Sequence, residues 1–210
     1  MLKEKLVQSL PKSRNKLRQL LAIQLFKMVD NKEQITGLQI HISSLTQQDI
    51  PLLEPILRQR VRDSETGVVV EEEVQSIINY MRGVPEESRM GNVRRYLVAK
   101  DRLGRVLGCV AYCEPEPDML HHFGVGIEEA VEGLNLFVDE TFGEHGVGTK
   151  PVSGMFQAAK AEGKKYVIAN SGPRYKRAWT FHDKCFDERR GFLLGKFGPG
   201  ADAMTWIKNL

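Results

Sequence analysis

Apolar and polar positions change period several times along this chain, and each change marks an element. Leu17, Leu20, Leu21, Leu25 and Met28 recur at helical spacing and predict a helix over about 13–29. Pro11 separates it from a shorter helical stretch, 2–10. Asn31 to Gly37 is a polar break, and Leu38 to Ile42 then alternates as a strand does. Asp49 before Ile50-Pro51 reads as a cap followed by an early proline, opening a helix to about Val61. Glu71, Glu72 and Glu73 open another, to about Met81, where three carboxylates suit the positive end of the helix dipole or form a solvated face. Val84 to Asn92 is loop-like.

Two strand candidates, Arg95 to Ala99 and Val106 to Cys113, are joined as a hairpin by the DRLG turn at 101–104. A long connection, 114–133, leads to an apolar strand, Leu134 to Val138. Residues 149–162 suit a helix, with Pro151 in its first turn and Gly163 just past its end. Lys165 to Ala169 is a strand, Tyr175 to Cys185 a helix, and Gly191 to Leu194 and Met204 to Ile207 are final strands. Antiparallel pairing comes early and a parallel crossover late, which argues for a mixed-sheet α/β domain over 35–210 behind a basic helical extension, 1–34.

Composition narrows the class. With 210 residues the chain can bury a sizeable core, and a net charge of +3 is too small to imply nucleic acid. No apolar run approaches the roughly 20 residues a membrane span needs. Cys109, Cys113 and Cys185 are too few and too scattered for a disulfide framework or a zinc site, which points to a reducing cytoplasm and to no metal. Cys109 and Cys113 would share one face of their strand, as small core residues. The extension carries seven Lys or Arg against two acidic residues in 1–30, so its apolar stripe would dock on the main domain, a second subunit of a homodimer, or an anionic surface.

Candidate chemistry concentrates in VDETFGEHGVGTKP, Val138 to Pro151. Gly143, Gly146 and Gly148 let backbone N–H groups turn toward one point between an apolar strand and a helix start. The helix start adds unpaired N–H groups and its dipole, a recipe for gripping a phosphate. The loop resembles the central motif of the GNAT acyltransferase superfamily, V-x-P-x-Y-R-x-x-G-x-G/A after a strand. Val138, Phe142, Gly146 and Gly148 fit it, while Glu140 stands at the proline place and Gly143 replaces the usual Arg or Gln. The stretch YKRAWTFHDKCFDERRGF resembles a second family element, N-x-x-A-x-x-x-Y-x-K-x-G-F. Ala178, Lys184 and Gly191-Phe192 fit it, after an insertion of about five residues, with His182 at the tyrosine place and Tyr175 at the asparagine place. A dinucleotide-binding Rossmann unit is the rival, but this spacing is G-x-x-G-x-G and the next strand ends in Ala169-Asn170 without a carboxylate.

The resemblance implies a GNAT-like acyl-CoA N-acyltransferase fold and acetyl-CoA as acyl donor. It implies that main-chain groups of Gly143, Glu144, His145, Gly146, Val147, Gly148 and Thr149 hold the coenzyme A pyrophosphate, with Lys150 adding charge or simply solvated. Phe137 and Val138 would offer backbone to the pantetheine arm and the oxyanion. Asp139 or Glu140 is the candidate general base, or both are plain loop carboxylates, and the resemblance implies that His182, with a near-neutral pKa, protonates the departing thiolate, unless it is simply a partly exposed helix histidine. His121 and His122 are adjacent, would diverge on a strand, and so do not suggest a metal. Glu114, Glu116, Asp118, Glu128, Glu129 and Glu132 make 114–132 acidic, which suggests a cationic amine acceptor or merely a solubilising loop. The expected activity is N-acyl transfer to an amine. The alternative is a catalytically reduced acyl-CoA sensor on the same fold.

Overall fold

A strand at the sheet edge, β1 (Ile40–Ser44), pairs antiparallel with β2 (Arg95–Asp101), and helices α1 (Ile50–Arg60) and α2 (Glu71–Met81) lie between them in sequence. The computed structural model describes residues 39–83, 93–142 and 146–210. The helical extension expected over 1–34 and the loop expected over 84–92 therefore lie outside the described residues. α1 opens after Asp49, but that carboxylate does not cap it. It accepts instead from the Thr46 N–H at 2.9 Å and hydroxyl at 2.8 Å, and pairs with Lys100 at 2.6 Å. Burial alone would raise the Asp49 pKa, yet Lys100 and Thr46 outweigh it and hold the carboxyl below its ordinary range.

The hairpin forms as expected. β2 and β3 (Val106–Cys113) join through a turn in which Asp101 Oδ1 accepts from the Leu103 and Arg105 amides, both at 2.9 Å. The connection after β3 is no simple loop. It contains a helix, α3 (Pro117–Phe123), and the next strand, β4 (Ala130–Val138), begins four residues before the expected Leu134. His121 and His122 thus sit on a helix rather than a strand. A short 3₁₀ turn (Glu140–Phe142) precedes α4 (Thr149–Ala161), which crosses over to β5 (Tyr166–Ser171). Another 3₁₀ segment, Pro173–Ala178, replaces the first turns of the expected helix at 175–185 and leads into α5 (Trp179–Cys185). β6 (Glu188–Leu193) and β7 (Ala203–Asn209) finish the chain.

Among the described residues seven strands run β1-β2-β3-β4-β5-β7-β6, and of these neighbours only β4 and β5 are parallel. Alternation along each strand sorts the core onto two faces. Tyr96, Val98, Cys109, Ala111 and Phe137 pack under α1 and α2. Val110, Val131, Val167, Ala169 and Trp206 pack under α4, with Trp179 and Phe181 of α5 against them. Met119 of α3 covers Ile168 and Ile207. Cys109 and Cys113 are buried, and all three cysteines are free thiols. Among the described residues no helix is long and apolar enough to cross a membrane.

Candidate active site at the parting of two strands

β4 and β5 pair over only four positions, from Ala130 opposite Tyr166 to Gly133 opposite Ala169. Beyond Gly133 they part. β5 continues with β7 as its neighbour, Asn170 opposite Thr205 and Ser171 opposite Met204. Leu134 to Val138 continue beside β3 with no residue of β5 opposite them. A row of backbone polar groups on the open edge of a strand is a template for another extended chain.

A bulge bends β4 just past the parting. Cys109 faces Phe137 and Ala111 faces Leu134, so three steps on β4 oppose two on β3. Asn135 takes up the extra length with φ 51°, a conformation that asparagine tolerates better than most side chains. Its amide donates to the Tyr96 hydroxyl at 2.7 Å, which pins the bulge to β2. Gly108 allows β3 and β4 to approach here, because a Cβ at that position would lie 2.4 Å from the Phe137 carbonyl oxygen.

At the parting lies a residue that pattern reading left in the loop. Glu132 is 6% exposed on β4. Asn170 Nδ2 donates to its Oε1 at 2.7 Å, and the Glu116 N–H donates to its Oε2 at 3.2 Å. Burial, the largest influence, pushes its pKa up to about 7, with Glu116 and Asp118 adding repulsion and Lys196 opposing it. A carboxylate poised there can exchange a proton near neutrality. The available signal was Ala130-Val131, which extend the apolar run backward and place Glu132 in a strand instead of a solvated loop.

Asp139 and Glu140 lie just past the other end of the same strand, seven and eight residues from Glu132, roughly 23 Å or more along an extended chain at ~3.3 Å per residue. Asp139 Oδ1 accepts from the Thr141 N–H at 2.9 Å and hydroxyl at 2.7 Å. Glu140 is exposed, faces Arg60 at 3.8 Å, and donates its N–H to Gln59 at 3.1 Å. Arg60 also donates through Nε to the Val138 carbonyl at 2.6 Å. Neither Arg60 nor Gln59 was legible as a site neighbour, because α1 reaches this strand end only through the fold.

Within the glycine loop, Gly143, Glu144 and His145 lie outside the described residues. Gly146 turns the chain with φ +72°, and Val147 is buried. Gly148 sits where a Cβ would meet Phe181 of α5 at 3.3 Å and Val138 at 3.4 Å. One of the expected phosphate-binding amides, that of Thr149, is occupied, as is the next one along the helix. The Thr149 N–H donates to Gly146 O and the Lys150 N–H to Val147 O, each at 3.2 Å. The Val147 and Gly148 amides have no hydrogen-bond partner among the described residues. Phe137 is buried beneath α1 and α2, and Val138 is half-buried at the end of the open edge.

His182 lies on α5 with its ring 4.7 Å from that of Trp206, and its Nδ1 is buried without a partner among the described residues. The expected near-neutral pKa is not found. Burial pushes it down to about 4, only partly offset by Asp183, so the imidazole is neutral at pH 7. Tyr175 faces away from any asparagine-like role, since its hydroxyl donates to Glu73 of α2 at 2.8 Å beside the Arg174–Glu73 ion pair. Glu73 is thus a structural anchor and not merely part of a solvated face. The acidic connection is only partly neutralised, by two lysines against its six carboxylates. Lys196 pairs with Glu116 and Asp118, and Lys165 pairs with Glu129 at 2.8 Å.

No family model and no curated protein matches this chain. Solved structures do. A protein from Desulfovibrio desulfuricans assigned to the GNAT family as an acetyltransferase matches with a TM-score of 0.61 at 13% identity, over 81% of this chain and 99% of its own. YncA from Salmonella typhimurium, an acetyltransferase solved with its cofactor acetyl-CoA, matches with a TM-score of 0.56 at 16% identity, over 82% of this chain and 94% of its own. A ribosomal-protein-alanine N-acetyltransferase from Brucella melitensis matches with a TM-score of 0.56 at 23% identity, over 81% and 99% of the two chains. At these identities the likeness is one of fold.

Proposed function

We propose that this chain, which has the GNAT acyl-CoA N-acyltransferase fold, transfers an acyl group from acetyl-CoA or another acyl-coenzyme A to an amine. One observation carries the reading: β4 parts from β5 beside a buried carboxylate that titrates near neutrality. The diphosphate would lie at the start of α4, over the amides of Val147 and Gly148, which have no partner among the described residues. The pantetheine arm would then run back along the open edge of β4, hydrogen-bonding as an added strand, and bring the thioester to the bulge and Glu132.

Glu132, rather than Asp139 or Glu140, then stands beside the reacting carbonyl, and those two flank the phosphate end. As the amine nitrogen forms its bond to the thioester carbon, Glu132 or a water on it takes the amine proton. The carbon–sulfur bond breaks and the thiolate leaves. A β4 backbone N–H near the bulge would hold the oxyanion. Neutral His182 would offer the thiolate a hydrogen bond from its N–H, while the proton that completes coenzyme A comes from solvent.

The acidic connection keeps more carboxylates than cations, so a cationic amine acceptor should react at least as well as a neutral one. A thiol-release panel over both classes tests the activity and the preference together. Coenzyme A binding without thiol release from any amine would instead favour the sensor reading, which the occupied Thr149 and Lys150 amides keep in play.

A further inference from the structure

The connection between β6 and β7 forms a tight tip from which two neighbouring side chains reach the end of β5 and the start of α3. The Gly195 N–H donates to Asp202 Oδ1 at 2.8 Å and the Phe197 N–H to Ala201 O at 3.0 Å, which fixes the tip. Phe197 seats against Gly172, just past β5, where a Cβ would lie 2.9 Å from its ring. Lys196 reaches the other way, to the start of α3. Its Nζ pairs with the Glu116 carboxylate and bonds Asp118 Oδ1 and Oδ2 at 2.9 and 2.8 Å. Its side chain is only 9% exposed, so this is not an ordinary surface pair.

Resting on the reading of Glu132 as the base, we propose that Lys196 is a positioning residue for it: Lys196 ties Glu116 and Asp118 into one compensated group, which holds the Glu116 amide on the Glu132 carboxylate and screens Glu132 from two anions. The groups facing Glu132 are few. β3 presents Cys113 opposite it, and β5 presents Asn170. The approach to α3 presents Glu116 and Asp118, and the tip presents Lys196. His122, farther along α3, bonds Thr205 at 2.9 Å and feels Asp118. Arg190 acts on His122, and Arg94 and Arg95 on Cys113, while among the described residues Lys196 is the cation whose charge bears on Glu132 itself. Without Lys196 two half-exposed carboxylates would stand uncompensated beside a buried one, which would hold its proton to higher pH.

The test reads Glu132 directly in the full chain, by carbon NMR of glutamate labelled at the carboxyl and assigned by the signal lost in Glu132→Gln. Lys196→Met should move the Glu132 midpoint up by about one pH unit, the lower end for a close charge in a buried site. Lys196→Arg should restore it. Asp118→Asn, which removes an anion and leaves the lysine, should move it down. Opposite signs support the electrostatic role, and the acid limb of kcat/KM should follow both shifts. Midpoints that stay still, or move the same way in both variants, overturn it. Should Lys196→Met not fold, the downward shift in Asp118→Asn decides alone, and its absence overturns the proposal. The two readings fail separately. Full turnover in Glu132→Gln removes the base but leaves the titration shifts standing, whereas dead Glu132→Gln with unmoved midpoints removes only the role of Lys196.

Discussion

Glu132 gains its reactivity from where β4 places it, since an exposed glutamate titrates at 4.5 and burial pushes this one up to about 7. If it is the base, Glu132→Gln should cut kcat by about 10²–10⁴ while acetyl-CoA binding persists, which steady-state rates and calorimetry would separate. The wild-type rate should rise with pH through about 7. The same shift makes a stability claim. A carboxyl whose folded pKa exceeds its unfolded value binds its proton more tightly when folded, so stability is fullest below pH 4.5 and declines as pH rises to about 7. That amounts to about 3 kcal/mol at most. Glu132→Gln should therefore raise Tm at pH 8 and not at pH 4.5. The gain is less than the full amount, because a glutamine NH₂ cannot accept from the Glu116 amide. His182 carries the opposite sign. Its depressed pKa means that stability is lost as pH falls from about 6.5 toward 4. As a hydrogen-bond donor to the thiolate, His182→Ala should lower turnover more than coenzyme affinity, and equal losses in the two would remove that role.

β4 shows how element boundaries decide what a residue means. Its apolar half, Leu134 to Val138, was legible from composition, whereas Ala130 to Gly133 was hidden behind the acidic residues of the connection. Starting the strand late turned a buried carboxylate into a loop charge. The glycine loop, the hairpin and the bounds of α2 were legible because each depends on neighbours in sequence: turn residues, caps and periodicity. The bulge at Asn135 was not, since it answers to Tyr96 across the sheet. Gly108 offers a test at this scale. A methyl group there meets backbone, which cannot rotate aside, so Gly108→Ala should cost about 1–3 kcal/mol in chemical denaturation and weaken coenzyme binding by shifting β4. Gly146→Ala, strained by its positive φ rather than by contact, should cost about 1 kcal/mol and disturb the phosphate end alone.

For the whole molecule the first expectation is ligand stabilisation. Acetyl-CoA at ~100 times its Kd should add about 2.7 kcal/mol, or roughly 5–11 °C in Tm for a chain of this size. A chain lacking 1–34 should keep that shift if the extension is separate from the site; its loss would tie the extension to coenzyme binding. The sequence by itself determined the order and type of most elements, α3 and the 3₁₀ segment before α5 excepted, because periodicity, caps and turn residues are local. Only the tertiary structure decided that β4 and β5 part after Gly133, that Lys196 compensates Glu116 and Asp118, and that Glu132 and His182 titrate away from their ordinary values. Those outcomes depend on burial and on charges brought together from up to 80 residues apart, and no local pattern encodes either.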